Sequence, residues 1–156
     1  MAVRVIVKEP DPILRKVSKE VREITPNIHK LLDDMAETMY DAGGVGLAAV
    51  QVGVLKRVVV IDVGDGLIEM INPVITSREG EQVGPEGCLS IPGLVGEVKR
   101  AMRCTVEALN RHGEKFVLNA EGYLARAIQH EVDHLNGILF TDLTTVFYEP
   151  EKEQRE

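Results

Sequence analysis

Two histidines and a glutamate near the end of the chain have the types and spacing of half a metal site. They are His130, Glu131 and His134, in the stretch QHEVDH at residues 129–134. On an α-helix, residues four apart lie one turn apart on the same face, so both imidazoles can reach one metal ion. The glutamate beside them can then serve as a general base. Two histidines do not complete a site, so a third ligand has to come from elsewhere.

The predicted helix places Glu131 among apolar residues. At about 100° per residue, both histidines fall at the edge of one buried stripe and Glu131 falls inside it. A carboxylate in such a position is costly unless it is paired or lies near a cation, which favours metal chemistry over a solvated surface helix. The stripe consists of Leu124, Ala127, Ile128 and Leu135. Arg126, Gln129 and Asp133 are predicted to point toward water.

Several sources for the third ligand are open. One class of zinc proteases continues the motif to HExxHxxGxxH, but this chain has Phe140 where the last histidine should be. A second class takes a glutamate from a later helix. The candidates Glu149, Glu151 and Glu153 lie in the charged ending EPEKEQRE, for which we predict a solvated tail.

The cysteines are the better candidates, because His29 and His112 are predicted to be surface residues. Cys104 lies in a strand-like stretch, where it is predicted to pack as a small hydrophobic residue. Cys88 follows Gly87, whose lack of a side chain lets the backbone approach another group. Together with an incomplete HExxH, this position favours Cys88 as a metal ligand.

Three stretches in order resemble the peptide deformylase family. They are GVGLAAVQ at residues 44–51, EGCLS at 86–90 and QHEVDH at 129–134. The resemblance extends from about residue 10 to residue 143. It implies a metal-dependent enzyme that removes the formyl group from the N-terminal formylmethionine of nascent polypeptides and releases formate.

The resemblance also implies a role for each matching residue. Cys88, His130 and His134 would hold the metal, whose bound water would attack the formyl carbon with Glu131 as general base and then acid. Gln51 and the backbone N–H of Leu89 would bind the carbonyl oxygen. The remaining substrate contacts are expected from Gly44, Val45, Gly46, Glu86, Gly87 and Leu124. Arg126 is expected only to cover the edge of the methionine pocket with its stem, and either Arg100 or Arg103 is expected to hold Glu86.

Two imidazoles and one thiolate suit several divalent metals, namely Fe(II), Zn(II), Ni(II) and Co(II). The family resemblance implies Fe(II) in the cell. The expected partners are an N-formylmethionyl peptide and, transiently, the ribosome. The net charge of −7 and the scattered basic residues argue against a general DNA or anionic-membrane binder.

Composition indicates one globular domain over residues 1–156, with a polar tail from about residue 144. The sequence has 156 residues, of which 44% are hydrophobic. We find neither an apolar run near the roughly 20 residues that a membrane helix needs nor a secretory signal. Two cysteines are too few for a disulfide scaffold, so a cytoplasmic protein is expected.

The pattern of elements predicts an α+β fold, with small antiparallel or mixed sheets around a C-terminal HExxH helix and an additional N-terminal helix. The N-terminal helix should begin at Thr25-Pro26, and the C-terminal helix should span residues 119–136. The predicted strands are residues 3–7, 57–62, 67–71, 95–106 and 115–118.

Two other functions remain open from the residues alone. A small zincin-type endopeptidase would take its third ligand from residues 149–153. A non-catalytic, metal-stabilised module would need a closed four-ligand site, with Cys104, His112 or Glu131 as the fourth ligand.

Overall fold

The computed structural model describes residues 2–149, which form two α-helices and eight strands. The helices are α1 (Pro26–Asp41) and α2 (Gly122–Leu135). The strands are β1 (Gly46–Ala48), β2 (Val58–Ile61), β3 (Ile68–Glu79), β4 (Gln82–Cys88), β5 (Ile91–Arg100), β6 (Arg103–Leu109), β7 (Lys115–Glu121) and β8 (Phe147–Tyr148). The predicted α+β class is confirmed. Within residues 2–149, no helix is long and apolar enough to cross a membrane.

A five-stranded antiparallel sheet in the order β1-β2-β3-β6-β7 carries the core on both faces. Alternate residues of β2 explain this arrangement, because successive side chains of a strand point to opposite faces. Val58 and Val60 pack with the apolar stripe of α1, whereas Val59 and Ile61 pack with Ile128 and its neighbours on α2. An uninterrupted apolar strand is therefore buried on both sides.

The smaller sheet has the order β4-β5-β8 and lies on the other side of α2. Two contacts show this: Arg126 of α2 donates to the backbone oxygen of Val98 on β5, and Gln129 of α2 donates to the backbone oxygen of Ala101 just after β5. Helix α2 is thus packed between two sheets. This sandwiched position brings Cys88, the last residue of β4, to the face of α2 that carries the histidines.

Three predictions about secondary structure are corrected. Residues 3–7 form no strand, although the Val7 N–H donates to the backbone oxygen of Gln51. Residues 95–106 are two strands in different sheets, since β5 ends at Arg100 and β6 begins at Arg103. Helix α2 begins at Gly122 because residues 119–121 complete β7.

Two residues in the region predicted as a polar tail belong to a sheet. Phe147 and Tyr148 form β8, which pairs with Val95 and Gly96 of β5. The alternative ligands Glu151 and Glu153 lie outside the described residues.

Candidate metal centre

The sulfur of Cys88 and the imidazoles of His130 and His134 converge on one point. One potential ligand atom from each residue lies within 4.8 Å of the other two. Cys88 Sγ is 3.3 Å from His134 Nε2. The two histidines come from successive turns of α2, and the cysteine comes from the end of β4. The structure therefore brings together the three residues that the sequence suggested as ligands.

Glu86 fixes which nitrogen of His130 faces this point. Its Oε1 lies 2.7 Å from His130 Nδ1. A carboxylate only accepts, so Nδ1 carries the hydrogen and the lone pair of Nε2 is left for a metal. Glu86 was expected to contact substrate, and the structure adds this contact with a ligand.

Two arginines hold Glu86 in place. Arg100 donates from Nε to Oε2 at 2.8 Å and from Nη2 to Oε1 at 2.7 Å, while Arg126 Nη1 donates to Oε2 at 2.6 Å. Arg100 also donates from Nη1 to Asp133 Oδ2 at 2.6 Å. Burial alone raises the pKa of Glu86, but the hydrogen bonds from Arg100 and His130 hold it well below its usual range. We call Glu86, Arg100, Arg126 and Asp133 the arginine cluster.

Of the two arginines proposed to hold Glu86, the structure selects Arg100. Arg103 lies instead near Glu79, with 3.8 Å between Nε and Oε1.

Glu131, the residue after His130 on α2, lies in a very different environment from Glu86. It is 4% exposed, and among the described residues its Oε1 is a buried atom without a hydrogen-bond partner. Burial raises the pKa of this carboxyl to about 7, while the charge of His130 acts in the opposite direction. A buried oxygen without a partner, next to three candidate metal ligands, is free to bind a reacting molecule.

Gln51 is held with its amide N–H groups toward the cysteine. Its Oε1 accepts from the backbone N–H of Ala48 at 3.0 Å, which fixes the orientation of the amide. Its Nε2 donates to Ser90 Oγ at 3.0 Å and lies 3.6 Å from Cys88 Sγ. The segment before Pro10 supports this arrangement from outside, because the Glu9 N–H donates to the backbone oxygen of Ser90.

A pocket opens in front of these groups, and most of the predicted substrate contacts line it. Its walls are formed by Val45, Gly46, Gln51, Pro85, Glu86, Gly87, Cys88, Leu89, Tyr123, Arg126, Ala127, His130 and Glu131. Leu124 lies outside this wall and packs against the core cluster of α2, and Gly44 lies beside the Leu89 side chain. Tyr123 and Ala127 take the place expected for Leu124.

The interpretation of Arg126, Gln129 and Asp133 as water-facing residues is wrong. Arg126 and Gln129 are each 4% exposed, and the Asp133 side chain is 18% exposed. All three are hydrogen-bonded to β5 or to the residue that follows it, and a projection of the isolated helix cannot include these contacts. Gln129 donates to and accepts from the backbone of Ala101, and so ties α2 to the turn after β5.

Phe140, at the position of the absent histidine, supports the site by packing. Its ring lies 6.3 Å from the ring of His130 at an interplanar angle of 26°. The residue is 1% exposed. The sequence excluded Phe140 as a metal ligand but gave no signal of its contact with His130.

The residues present fit a divalent metal. Two imidazoles and a thiolate are a donor set for Fe(II), Zn(II), Ni(II) or Co(II), and three protein ligands leave a coordination position open.

Burial alone lowers the pKa of His130, but hydrogen bonds with Cys88 and Glu86 raise it well above its usual value. Burial and the charge of His130 lower the pKa of His134. Two of the three candidates for a fourth ligand in a closed site are excluded, because Cys104 packs in the core and His112 is exposed in a turn.

Comparison with known proteins gives one consistent result. A profile of the family described as polypeptide deformylase matches residues 3–147. The peptide deformylase of Acetivibrio thermocellus is 63% identical over 155 residues, which cover 99% of this chain and 91% of that protein. The solved peptide deformylase of Thermotoga maritima is 44% identical with a TM-score of 0.90, covering 92% and 98% of the two chains. That of Legionella pneumophila is 46% identical with a TM-score of 0.89, covering 92% and 86%.

Proposed function

The chain belongs to the polypeptide deformylase family and is therefore a hydrolase that removes the N-formyl group from nascent polypeptides, and from this premise we propose which of its residues carry out the reaction. Cys88, His130 and His134 hold the metal. The observation that carries this assignment is the convergence of their three ligand atoms within 4.8 Å beside the buried carboxyl of Glu131.

The proton transfers belong to Glu131. When bound, the metal acts as a Lewis acid that lowers the pKa of water and polarises the formyl oxygen. Next to a bound cation, Glu131 would be ionised, which is the form that accepts a proton. Glu131 takes one proton from the attacking water and gives it to the nitrogen that leaves as the C–N bond breaks. The immediate products are formic acid and a neutral amine. The proton of formic acid then passes to the amine, giving formate and an α-ammonium group, so atoms and charge balance.

Gln51 binds the formyl oxygen as negative charge develops on it. The support is its fixed amide, whose Nε2 faces Cys88 while its Oε1 is held by Ala48. Removing one such donor typically costs about 3–4 kcal/mol of transition-state stabilisation. The backbone N–H of Leu89, on the same wall of the pocket, is the second donor.

The methionine side chain enters the pocket between β1 and α2. Val45, Tyr123 and Ala127 offer apolar surface there, and the stem of Arg126 adds to it. The guanidinium of Arg126 is already neutralised by Glu86, so it does not place a free charge in the pocket. Gly46 lies in β1 at the edge of the five-stranded sheet, where an extended peptide backbone can run alongside it.

The test is formate release from formyl-Met-Ala-Ser by protein purified without oxygen and loaded with Fe(II) or Ni(II). We expect turnover with one metal per chain and none after chelation. Absence of formate from fully loaded protein would falsify the proposal. Cys88→Ala should lose the metal, whereas an endopeptidase with its third ligand in residues 149–153 would keep it.

Fe(II) is our proposal for the metal used in the cell. The donor set suits Fe(II), Zn(II), Ni(II) and Co(II) alike. The family resemblance is what favours Fe(II) among them. Metal analysis of protein purified anaerobically from cells without added metal should find mainly iron, and activity should fall faster in air than that of the Ni(II) form. A majority of zinc in such protein would contradict this assignment.

The substrate places the enzyme where translation occurs, so we propose a cytoplasmic location and a transient contact with the ribosome. A net charge of −7 provides no general attraction to ribosomal RNA, so this contact is expected to be weak and local. Sedimentation with ribosomes carrying a formylated nascent chain, compared with ribosomes that carry none, measures it.

A further inference from the structure

Gly46 makes an unusually close approach to the side chain of Glu131. A Cβ atom built on Gly46 would lie 2.5 Å from Glu131 Oε2 and 3.0 Å from its Cδ and Cγ. Real Cβ atoms essentially never come within 3.0 Å of such neighbours. The carboxylate of the proposed base therefore occupies the space where every other amino acid would carry its Cβ atom.

The backbone of Gly46 does not itself require glycine. The residue lies in β1, paired with Ile61 of β2, and it is absent from the glycines with positive φ. An alanine could adopt the same extended conformation without strain. Within the chain itself, the three nearest atoms that a Cβ atom here would meet all belong to the side chain of Glu131.

Hydrogen bonds do not fix Glu131 in the way that they fix Glu86. Across residues 2–149, Glu131 Oε1 is buried and has no partner. Contact with β1 is what limits the position of this carboxyl group on the strand side. The other close glycine contact at the site differs in the burial of its neighbour. A Cβ on Gly44 would meet the terminal methyl of Leu89, which is half-buried, whereas the side chain that a Cβ on Gly46 would meet is buried.

We propose that Gly46 is a positioning residue for Glu131. The absence of a side chain at this point of β1 lets the carboxylate stand against the strand and keeps Oε1 directed at the reacting water. This inference rests on the proposed function, in which Glu131 transfers the protons. It is separate from any contact between the Gly46 backbone and substrate, because it acts through Glu131.

Gly46→Ala should lower kcat and leave binding intact. Restoring an ordinary contact requires the carboxylate to move by about 1 Å, and a misplacement of that size can cost about 100-fold in rate. We expect kcat for formyl-Met-Ala-Ser to fall by about 10- to 100-fold, with KM within threefold of wild type. Metal content and the calorimetric Kd for the product Met-Ala-Ser should not change. A large rise in that Kd with unchanged kcat would assign Gly46 to substrate binding and overturn the proposal.

Glu131→Asp provides the matched control, because its carboxyl group is one methylene shorter and recedes from β1. In that background, adding Gly46→Ala should lower kcat by less than threefold, which makes the two substitutions strongly non-additive. An equal loss in both backgrounds would overturn the inference. Formate release by wild type tests the proposed function separately.

Protein stability gives a readout that does not depend on turnover. If Gly46→Ala alone is unfolded or loses its metal, the double variant with Glu131→Asp should fold, bind metal and melt near Glu131→Asp itself. A double variant as defective as Gly46→Ala would show that the methyl group disturbs something other than Glu131, and the proposal would be wrong.

Discussion

Two buried glutamates near His130, Glu86 and Glu131, lie in opposite electrostatic surroundings. Glu86 accepts hydrogen bonds from Arg100, Arg126 and His130, and these hold its pKa well below the usual range against the effect of burial. Glu131 has an unpartnered Oε1, and burial raises its pKa to about 7. The two carboxyl groups are equally hidden from water, at 6% and 4% exposure, so the difference comes from their partners.

The difference separates a structural glutamate from a reactive one. We call the arginine cluster, which contains Glu86, the structural side of the site, and Glu131 the reactive side. A carboxylate surrounded by cations stays ionised and holds its neighbours still, which suits the orientation of a metal ligand. A carboxyl group whose pKa lies near neutrality can gain and lose a proton during turnover, which suits a general base and acid. Stability should therefore depend mainly on Glu86, and rate mainly on Glu131.

The largest effect is expected on the reactive side. Glu131→Gln should lower kcat by about 100- to 10,000-fold, because it removes the proton acceptor. Metal content should stay at one per chain, and the melting temperature should be unchanged or higher, since a costly buried carboxyl group is removed. Formate assays, metal analysis and calorimetry check these outcomes. Substantial activity in the metal-loaded variant would remove Glu131 from the mechanism and end the comparison.

The next effect is expected on the structural side. Glu86→Gln leaves two buried guanidinium groups without their shared anion, which should cost about 3–5 kcal/mol in the free energy of unfolding. Loss of the acceptor for His130 Nδ1 should also weaken metal affinity by about 10- to 100-fold. Urea unfolding and metal titration measure the two losses. Once saturated with metal, the variant should recover most of its kcat. A kcat as low as that of Glu131→Gln at full metal occupancy would contradict the division.

The motifs predicted the residues at the centre of the candidate site better than the surrounding residues that hold them in place. HExxH spacing and Cys88 beside Gly87 carry local signals, because ligand chemistry restricts residue type and distance along the chain. Arg126 and Gln129 carried no such signal. A helix projection assumes one packed face, and these side chains became buried only because the smaller sheet covers a second face of α2. That burial depends on β5, which is distant in sequence.

Strand β4 shows the same limit for the fold. It contains Gly84, Pro85 and Gly87, residues that are uncommon in strands, so the alternation that identifies a strand is weak. Its partner β5 was predicted only as part of a longer strand that continued into β6. By contrast, α1 and β2 were predicted well, because a long amphipathic stripe and a run of buried β-branched residues are strong local signals.

Acid should weaken the structural side selectively. The pKa of Glu86 is lower in the folded chain than its ordinary value of 4.5, so its stabilising effect is complete above that pH and is lost as pH falls toward the folded value. The stability difference between wild type and Glu86→Gln should shrink by about 1.4 kcal/mol per pH unit below 4.5. Urea unfolding between pH 6 and pH 3, with chelator present, measures it. A difference that does not change with pH would mean that Glu86 is not held ionised by the cluster.

The smallest effect tests where the structural side ends. Asp133 lies within the HExxH stretch, between His130 and His134, and among residues 2–149 its side chain is hydrogen-bonded to the outer nitrogen Nη1 of Arg100. Arg100 keeps both of its bonds to Glu86 in Asp133→Asn, so the expected cost is about 1 kcal/mol of unfolding free energy and less than a twofold change in kcat. Kinetics and urea unfolding on the same preparation compare the two. The side chain of Asp133 is bonded to Arg100, which does not line the substrate pocket. A tenfold loss of kcat with metal retained would therefore show that the arginine cluster affects the reaction by more than orienting His130.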